Sequence, residues 1–109
     1  MSKAPRHLKP ETRKWFETVT AEYELEQHHV RILVIAAENW DLAQSCREIL
    51  AARGLTYQDR FDAPRQRPEV PVLRDARAGF LRAIRELGLD VSEPEAPRPP
   101  QTQGKSNRR

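Results

Sequence analysis

The chain has 109 residues, a formal net charge of +3 from 19 basic and 16 acidic residues, and one cysteine. That length makes one small domain the natural expectation, and the lone Cys46 excludes an intrachain disulfide and a thiolate metal cage. The positive excess is too small for a whole monomer surface to grip nucleic acid, so any such binding falls to local clusters or to many copies acting together.

Residues 1–9, MSKAPRHLK, read as a flexible basic arm with no apolar signal core. No apolar run approaches the ~18 residues that span a bilayer, so a soluble, intracellular protein is expected. Pro10 suits the first helical position, where its missing N–H costs nothing, and Glu11 favours the positive end of the helix dipole. Trp15, Phe16, Val19 and Tyr23 then form one apolar stripe, predicting a first helix over residues 10–24.

A second helix is predicted over residues 26–53, stopped by Gly54 just past its end. Within it, residues 30–37, VRILVIAA, are apolar nearly all round, with Arg31 the single polar residue. Beyond them Leu42, Ala43, Cys46, Ile49 and Leu50 keep one apolar face, while Asp41, Gln44, Ser45, Arg47 and Glu48 occupy the other. A helix that needs cover on every side, in a chain this short, calls for another subunit. Val30, Leu33, Val34, Ala37 and Trp40 are therefore the expected oligomer interface.

Residues 55–66 carry Leu55, Tyr57 and Phe61 around Asp62, Ala63 and Pro64, and fit either a short β-hairpin or an irregular loop. The third helix is predicted to begin at Pro68, with Pro71 tolerated in its first turn. Val70, Leu73, Ala76, Phe80, Ile84 and Leu87 make its apolar stripe, and Gly88 ends it. Residues 92–109 hold four of the nine prolines and a single apolar residue, Ala96, which predicts a disordered, Pro-rich basic tail. The expected fold is all-α: a helix, a long central helix and a third helix, with a helical oligomerisation and DNA-binding domain at residues 10–91.

Enzymatic readings find little support. There is no glycine-rich phosphate loop, so neither an ATP site nor another cofactor is expected. His28 and His29 are neighbours whose side chains diverge by about 100° on a helix and cannot chelate one metal together. Cys46 sits on the apolar face as a small hydrophobe. Asp59 and Asp62 suit turn formation, with a carboxylate pair for a metal as the alternative. No acid–base constellation emerges, so the chain is expected not to be an enzyme.

The arginines carry the remaining signal. Arg74, Arg77, Arg82 and Arg85 project in an arc opposite Phe80 and Leu87, and Arg60, Arg65 and Arg67 precede that helix. Their planar forks suit phosphates, a solvated face being the plainer alternative. Lys9, Arg13 and Lys14, with Lys3, Arg6 and His7, form a second basic set that either follows a DNA backbone or only solubilises the chain. Lys105, Arg108 and Arg109 end the tail and could tether DNA or a partner. Tyr57 and Phe61 are expected to cover the end of the core, with stacking on a base as the alternative.

Three stretches, EYELEQHHVRILVIAAENWD, GLTYQDRFDAPRQRPEV and RDARAGFLRAIRELGLD, resemble the small subunit of bacteriophage terminases, a likeness that covers most of residues 8–91. The resemblance implies an α-helical subunit, acting in the host cytoplasm, that assembles into a ring and binds double-stranded viral DNA where packaging begins. It also implies regulation of the ATPase and nuclease of the terminase large subunit. Many such subunits carry a separate N-terminal helix-turn-helix domain for which this chain has no room, so base reading gives way to backbone contacts. A ring of about nine copies would multiply those weak contacts. The competing expectation is a helical adaptor whose arginines pair with an acidic protein partner and never meet nucleic acid.

Overall fold

A computed structural model describes residues 3–89 of the chain. Helix α1 (Pro10–Glu22), helix α2 (Gln27–Arg53), strands β1 (Thr56–Gln58) and β2 (Pro64–Gln66), and helix α3 (Glu69–Leu87) follow in that order. The all-α expectation holds, and the segment left open between hairpin and loop is an antiparallel hairpin, pairing Thr56 with Gln66 and Tyr57 with Arg65. The expectations for the tail, including its terminal basic residues, lie outside the described residues.

Local chemistry sets the helix ends. Helix α1 stops two residues before its expected end, because Tyr23 turns extended at φ −122° and ψ 142° while still donating to the Val19 carbonyl. At the start of α2 the Glu26 carboxylate accepts the His29 backbone N–H, and His29 Nδ1 accepts the Glu26 N–H at 3.3 Å. This reciprocal box satisfies two donors that the first turn would otherwise leave open. Helices α2 and α3 both close on glycines with positive φ, Gly54 at 86° and Gly88 at 76°, where a side chain would be strained.

The large side chains gather at one end of the molecule. Leu8, Phe16, Val19, Leu33 and Ala37 form a buried cluster flanked by Trp15, Val30, Val34, Leu87 and Leu89. Helix α1 runs antiparallel to α2 across this cluster and is fastened at its start by Asp41. The Asp41 Oδ2 accepts the Lys9 backbone N–H at 2.8 Å, and its Oδ1 accepts the Thr12 hydroxyl. Lys9 supplies no side-chain cap of its own, so a carboxylate from α2 takes that role at the positive end of the α1 dipole.

Of the flexible basic arm expected over residues 1–9, the described residues 3–9 make specific contacts with the helices. Leu8 is buried in the cluster, and His7 Nε2 lies 2.8 Å from Glu38 Oε2. This segment is held because Leu8 has a core to enter.

Helices α2 and α3 make the most extensive contact, and their seam is built from small residues. Ala36 and Ala43 on α2, and Ala76 and Ala83 on α3, are all buried; each pair is seven residues apart, which places it on one helix face. Between Ala76 and Ala83 lies Gly79, where a Cβ would sit 2.6 Å from Asn39 Nδ2. The helices therefore approach closely at this point.

The residues expected at an oligomer interface differ in exposure. Leu33 and Ala37 are each 0% exposed, because α1 and α3 both lie against that side of α2. Val30 and Val34 are half-buried on the same cluster, and Trp40 is exposed. Uncovered apolar surface lies elsewhere on α2, at Ile35, Leu42 and Ile49, which are 53%, 46% and 37% exposed. At 100° per residue they sit about 140–180° around the helix from Trp40.

Leu33→Ala should lower stability by about 2–5 kcal/mol in a urea melt, by deleting a fully buried side chain. Asp41→Ala should cost about 1–3 kcal/mol in the same assay, since it leaves the Lys9 N–H without its acceptor.

Candidate nucleic-acid interface

The hairpin between α2 and α3 is organised by one carboxylate. Asp59 Oδ1 accepts the backbone N–H groups of Phe61 at 2.8 Å and Ala63 at 2.9 Å, while Oδ2 accepts Arg65 Nε at 2.9 Å. The turn also needs Asp62 at φ 61°, a left-handed conformation that aspartate tolerates better than most residues. The bonded Arg65 guanidinium, and then the Ala63 amide, hold the Asp59 carboxyl below its usual range. Asp59 thus fills the turn-forming role expected of it.

Of the loop arginines, only one is clear of such duties. Arg65 is tied to Asp59. Arg67 is half-buried, its Nη2 donates to the Arg53 carbonyl at 3.3 Å, and its guanidinium lies 5.9 Å from the Tyr57 ring centre. It fastens the hairpin to the C-terminal end of α2. Arg60 stands at the hairpin tip, 5.1 Å from the centre of the Phe61 ring. Phe61 is 76% exposed and Tyr57 is exposed as well, so neither covers the core end as expected. The turn that Asp59 clasps carries Phe61 away from the helices.

The helical arginines are open to solvent. Arg74, Arg77, Arg82 and Arg85 are all exposed, and Arg74 makes only an exposed contact with its neighbour Asp75, at 3.4 Å. Arg77 borders an aromatic surface where Trp40 and Phe80 lie 5.2 Å apart, with Trp15 another 6.0 Å from Phe80.

The N-terminal basic set is divided. Arg13 and Lys14, with Lys3 and Arg6, line an open depression of about 830 Å³ shared with Glu11 and Glu17. Lys9 instead faces a neighbouring recess beside Trp40, Asp41 and Glu48. The acids at both places dilute the positive charge. The structure therefore gathers the expected residues into three groups, at the hairpin, along the outer side of α3 and at the start of α1.

Other expected site readings resolve simply. Cys46 is buried, and burial together with the nearby Glu69 carboxylate pushes its thiol pKa up, the opposite of an activated nucleophile. Among the described residues, no cluster of three His, Cys, Asp or Glu side chains is placed to hold a metal ion. None of the described helices is long and apolar enough to cross a membrane. Sequence reasoning misses the structural weight of Asp41, because helical periodicity puts it on a solvated face. The signal for it is slight, a carboxylate one turn beyond the apolar run.

In comparison with known proteins, residues 12–101 fit a family model described as phage terminase, small subunit. Among curated proteins and among solved structures, none matches the chain significantly.

The depressed Asp59 pKa makes the hairpin acid-sensitive. Its contribution is present above the unfolded carboxylate value of about 3.9 and is lost as pH falls through the lower folded value. Hydrogen exchange at the Phe61 and Ala63 amides should therefore speed up at strongly acidic pH, after correction for intrinsic rates. In Asp59→Asn those amides should lose this acid dependence.

Proposed function

The chain belongs to the phage terminase small-subunit family, and from that premise we propose that it is a homo-oligomeric DNA-binding protein. In this reading it engages double-stranded viral DNA and regulates the large terminase subunit during genome packaging. Catalysis belongs to the large subunit. The helical unit over residues 10–91 carries both self-association and DNA contact.

The observation that carries the reading is the span of the family match, which includes most of α1 and all of α2, the hairpin and α3. Two features of the molecule support it. The outer face of α3 presents Arg74, Arg77, Arg82 and Arg85 to solvent, where guanidinium forks reach phosphates without first leaving a buried partner. Arg60 extends that surface at the hairpin tip, while Arg13 and Lys14 offer a second contact. Arg65 and Arg67 contribute mainly by holding the hairpin in place. Lys9 lies among acids and is the weakest of the candidates.

The second feature is the stripe of Ile35, Leu42 and Ile49. Apolar residues at seven-residue intervals on a helix suit a neighbouring helix, and their exposure leaves the stripe for another copy of the chain. The proposed subunit contact is therefore this stripe, in place of Leu33 and Ala37. Repeating a weak basic face around a closed ring raises the number of phosphates neutralised, and affinity rises with that number.

Size-exclusion chromatography with light scattering should give one large discrete oligomer, and Leu42→Glu should break it into smaller species. A monodisperse monomer at micromolar concentration would reject the assembly. Affinity for duplex DNA should fall steeply with salt. Arg74→Ala with Arg77→Ala should weaken binding roughly ten-fold or more and flatten the salt slope by about 0.9 for each phosphate no longer neutralised. Absence of DNA binding even at low salt would favour an acidic protein partner instead.

A further inference from the structure

The aromatic surface over the middle of α2 is a groove. One part of it, about 210 Å³, is lined by Trp15, Trp40, Phe80, Thr12 and Glu11. A second part, about 260 Å³, shares Trp40 and Phe80 and continues past Ala43 to Arg77 and Leu81. Helix α1 forms one wall and α3 the other, and α2 forms the floor. Trp40 is 46% and Leu81 59% exposed, so two large apolar side chains stand uncovered beside this trough.

We infer that the groove binds the Pro-rich segment of the same chain, residues 94–100, in cis. The inference does not depend on DNA binding or on ring formation. Four observations select this occupant.

The sequence of residues 94–100 is PEAPRPP, with Pro94, Pro97 and Pro100 at intervals of three. A polyproline II helix has three residues per turn at ~3.1 Å each, so these prolines share one face at a spacing of ~9.3 Å. The steps from Trp15 to Phe80 and from Phe80 to Trp40 are 6.0 and 5.2 Å, so the three rings extend over about 11 Å at most, enough to meet two successive prolines of that face. Aromatic-lined grooves are the usual partners of such segments, because flat rings meet prolyl rings and little chain entropy remains to be lost.

The reach is also right. The chain leaves α3 at Leu89, which packs against the same buried cluster as Trp15. Phe80 lies nine residues earlier on α3, or ~13.5 Å along its axis, and Pro94 can travel ~16 Å from Leu89.

Charge is complementary on the α1 side. Arg98 follows Pro97, and Glu11 and Glu48 line the recess beside Trp40. Glu11 is therefore the proposed partner for the Arg98 guanidinium. Finally, the family match runs beyond α3 to residue 101, through this segment and no further.

The chain contains two tryptophans, and both line the groove, so intrinsic fluorescence of the full chain reports directly on its occupancy. The experiment compares acrylamide quenching in the natural chain with that in Pro94→Ala/Pro97→Ala/Pro100→Ala, both at full length. The variant should show red-shifted emission and a roughly two-fold larger quenching constant, since uncovered indoles meet water and quencher. Glu11→Arg should act in the same direction, and adding Arg98→Glu to it should restore the original value. The natural chain's quenching should not change across a hundred-fold dilution. Identical quenching in the natural chain and the proline variant would overturn the inference. Quenching that rises on dilution would overturn it too, because the covering segment would then come from another copy.

Discussion

The constraint on which the molecule depends is the close approach of α2 and α3. Where Gly79 faces Asn39 there is no room even for a methyl group without displacing the amide, and the buried positions beside it are Ala36, Ala43, Ala76 and Ala83. Side chains of this size each remove little apolar area from water, so the seam gains less per residue than a leucine seam would. Close contact across the seam, with the Asn39 side chain set directly on Gly79, is the compensation. The consequence is displacement of bulk. Phe16 and Leu33, the largest fully buried side chains, lie at the end where α1 crosses, while Trp40 and Phe80 are pushed to the edge of the seam and Ile35, Leu42 and Ile49 remain outside. The groove lies along the seam, whereas the apolar stripe is exposed because it points to the side of α2 away from it.

Acids do much of the positioning in a chain that is basic overall. Asp41 fixes the start of α1 from α2, and Asp59 closes the hairpin turn through two amides and Arg65. Each satisfies backbone donors that would otherwise face inward unpaired or be left to water. The division of labour among arginines follows from this. Arg65 and Arg67 are committed to the hairpin, and those on α3 stay exposed, Arg74 meeting only the exposed Asp75. Net charge alone, at +3, hides the distinction.

Helix types and ends are legible in the sequence because they depend on local rules. Pro10, Gly54 and Gly88 mark helix ends through backbone geometry that only neighbouring residues decide, and the stripe from Val70 to Leu87 has helical period. Which apolar residues are covered is not legible. The run 30–37 reads as surplus needing another subunit, yet α1 and α3 bury Leu33, Ala36 and Ala37. Composition counts apolar residues, whereas exposure depends on where the partners cross. The hairpin is likewise undecidable from sequence, because three-residue strands carry too little periodicity and its closure depends on Asp59, six residues from Arg65. Of the candidate site, the residue types are visible from the sequence. Their freedom or engagement is not, since Arg67 and Arg60 look alike until the end of α2 is placed beside one of them.

Helix α3 separates packing from charge more cleanly than any other element. At 100° per residue, Arg74, Arg77, Arg82 and Arg85 fall within about 140° of arc, centred opposite Ala76, Gly79 and Ala83. The inward positions Ala76 and Ala83 are buried, and a charged guanidinium buried there without a partner would be costly, so the arginines occupy the outward face. Cationic side chains placed there do not support the core, and removing them leaves the seam intact. The same partition explains why a small subunit can hold a strongly basic stripe without destabilising itself: on α3 the charges are spread over nearly three turns in water, where repulsion between them is screened within about 8–10 Å. Charge on this face can therefore change with little effect on the fold, because the packed surface is the one built from alanine and glycine.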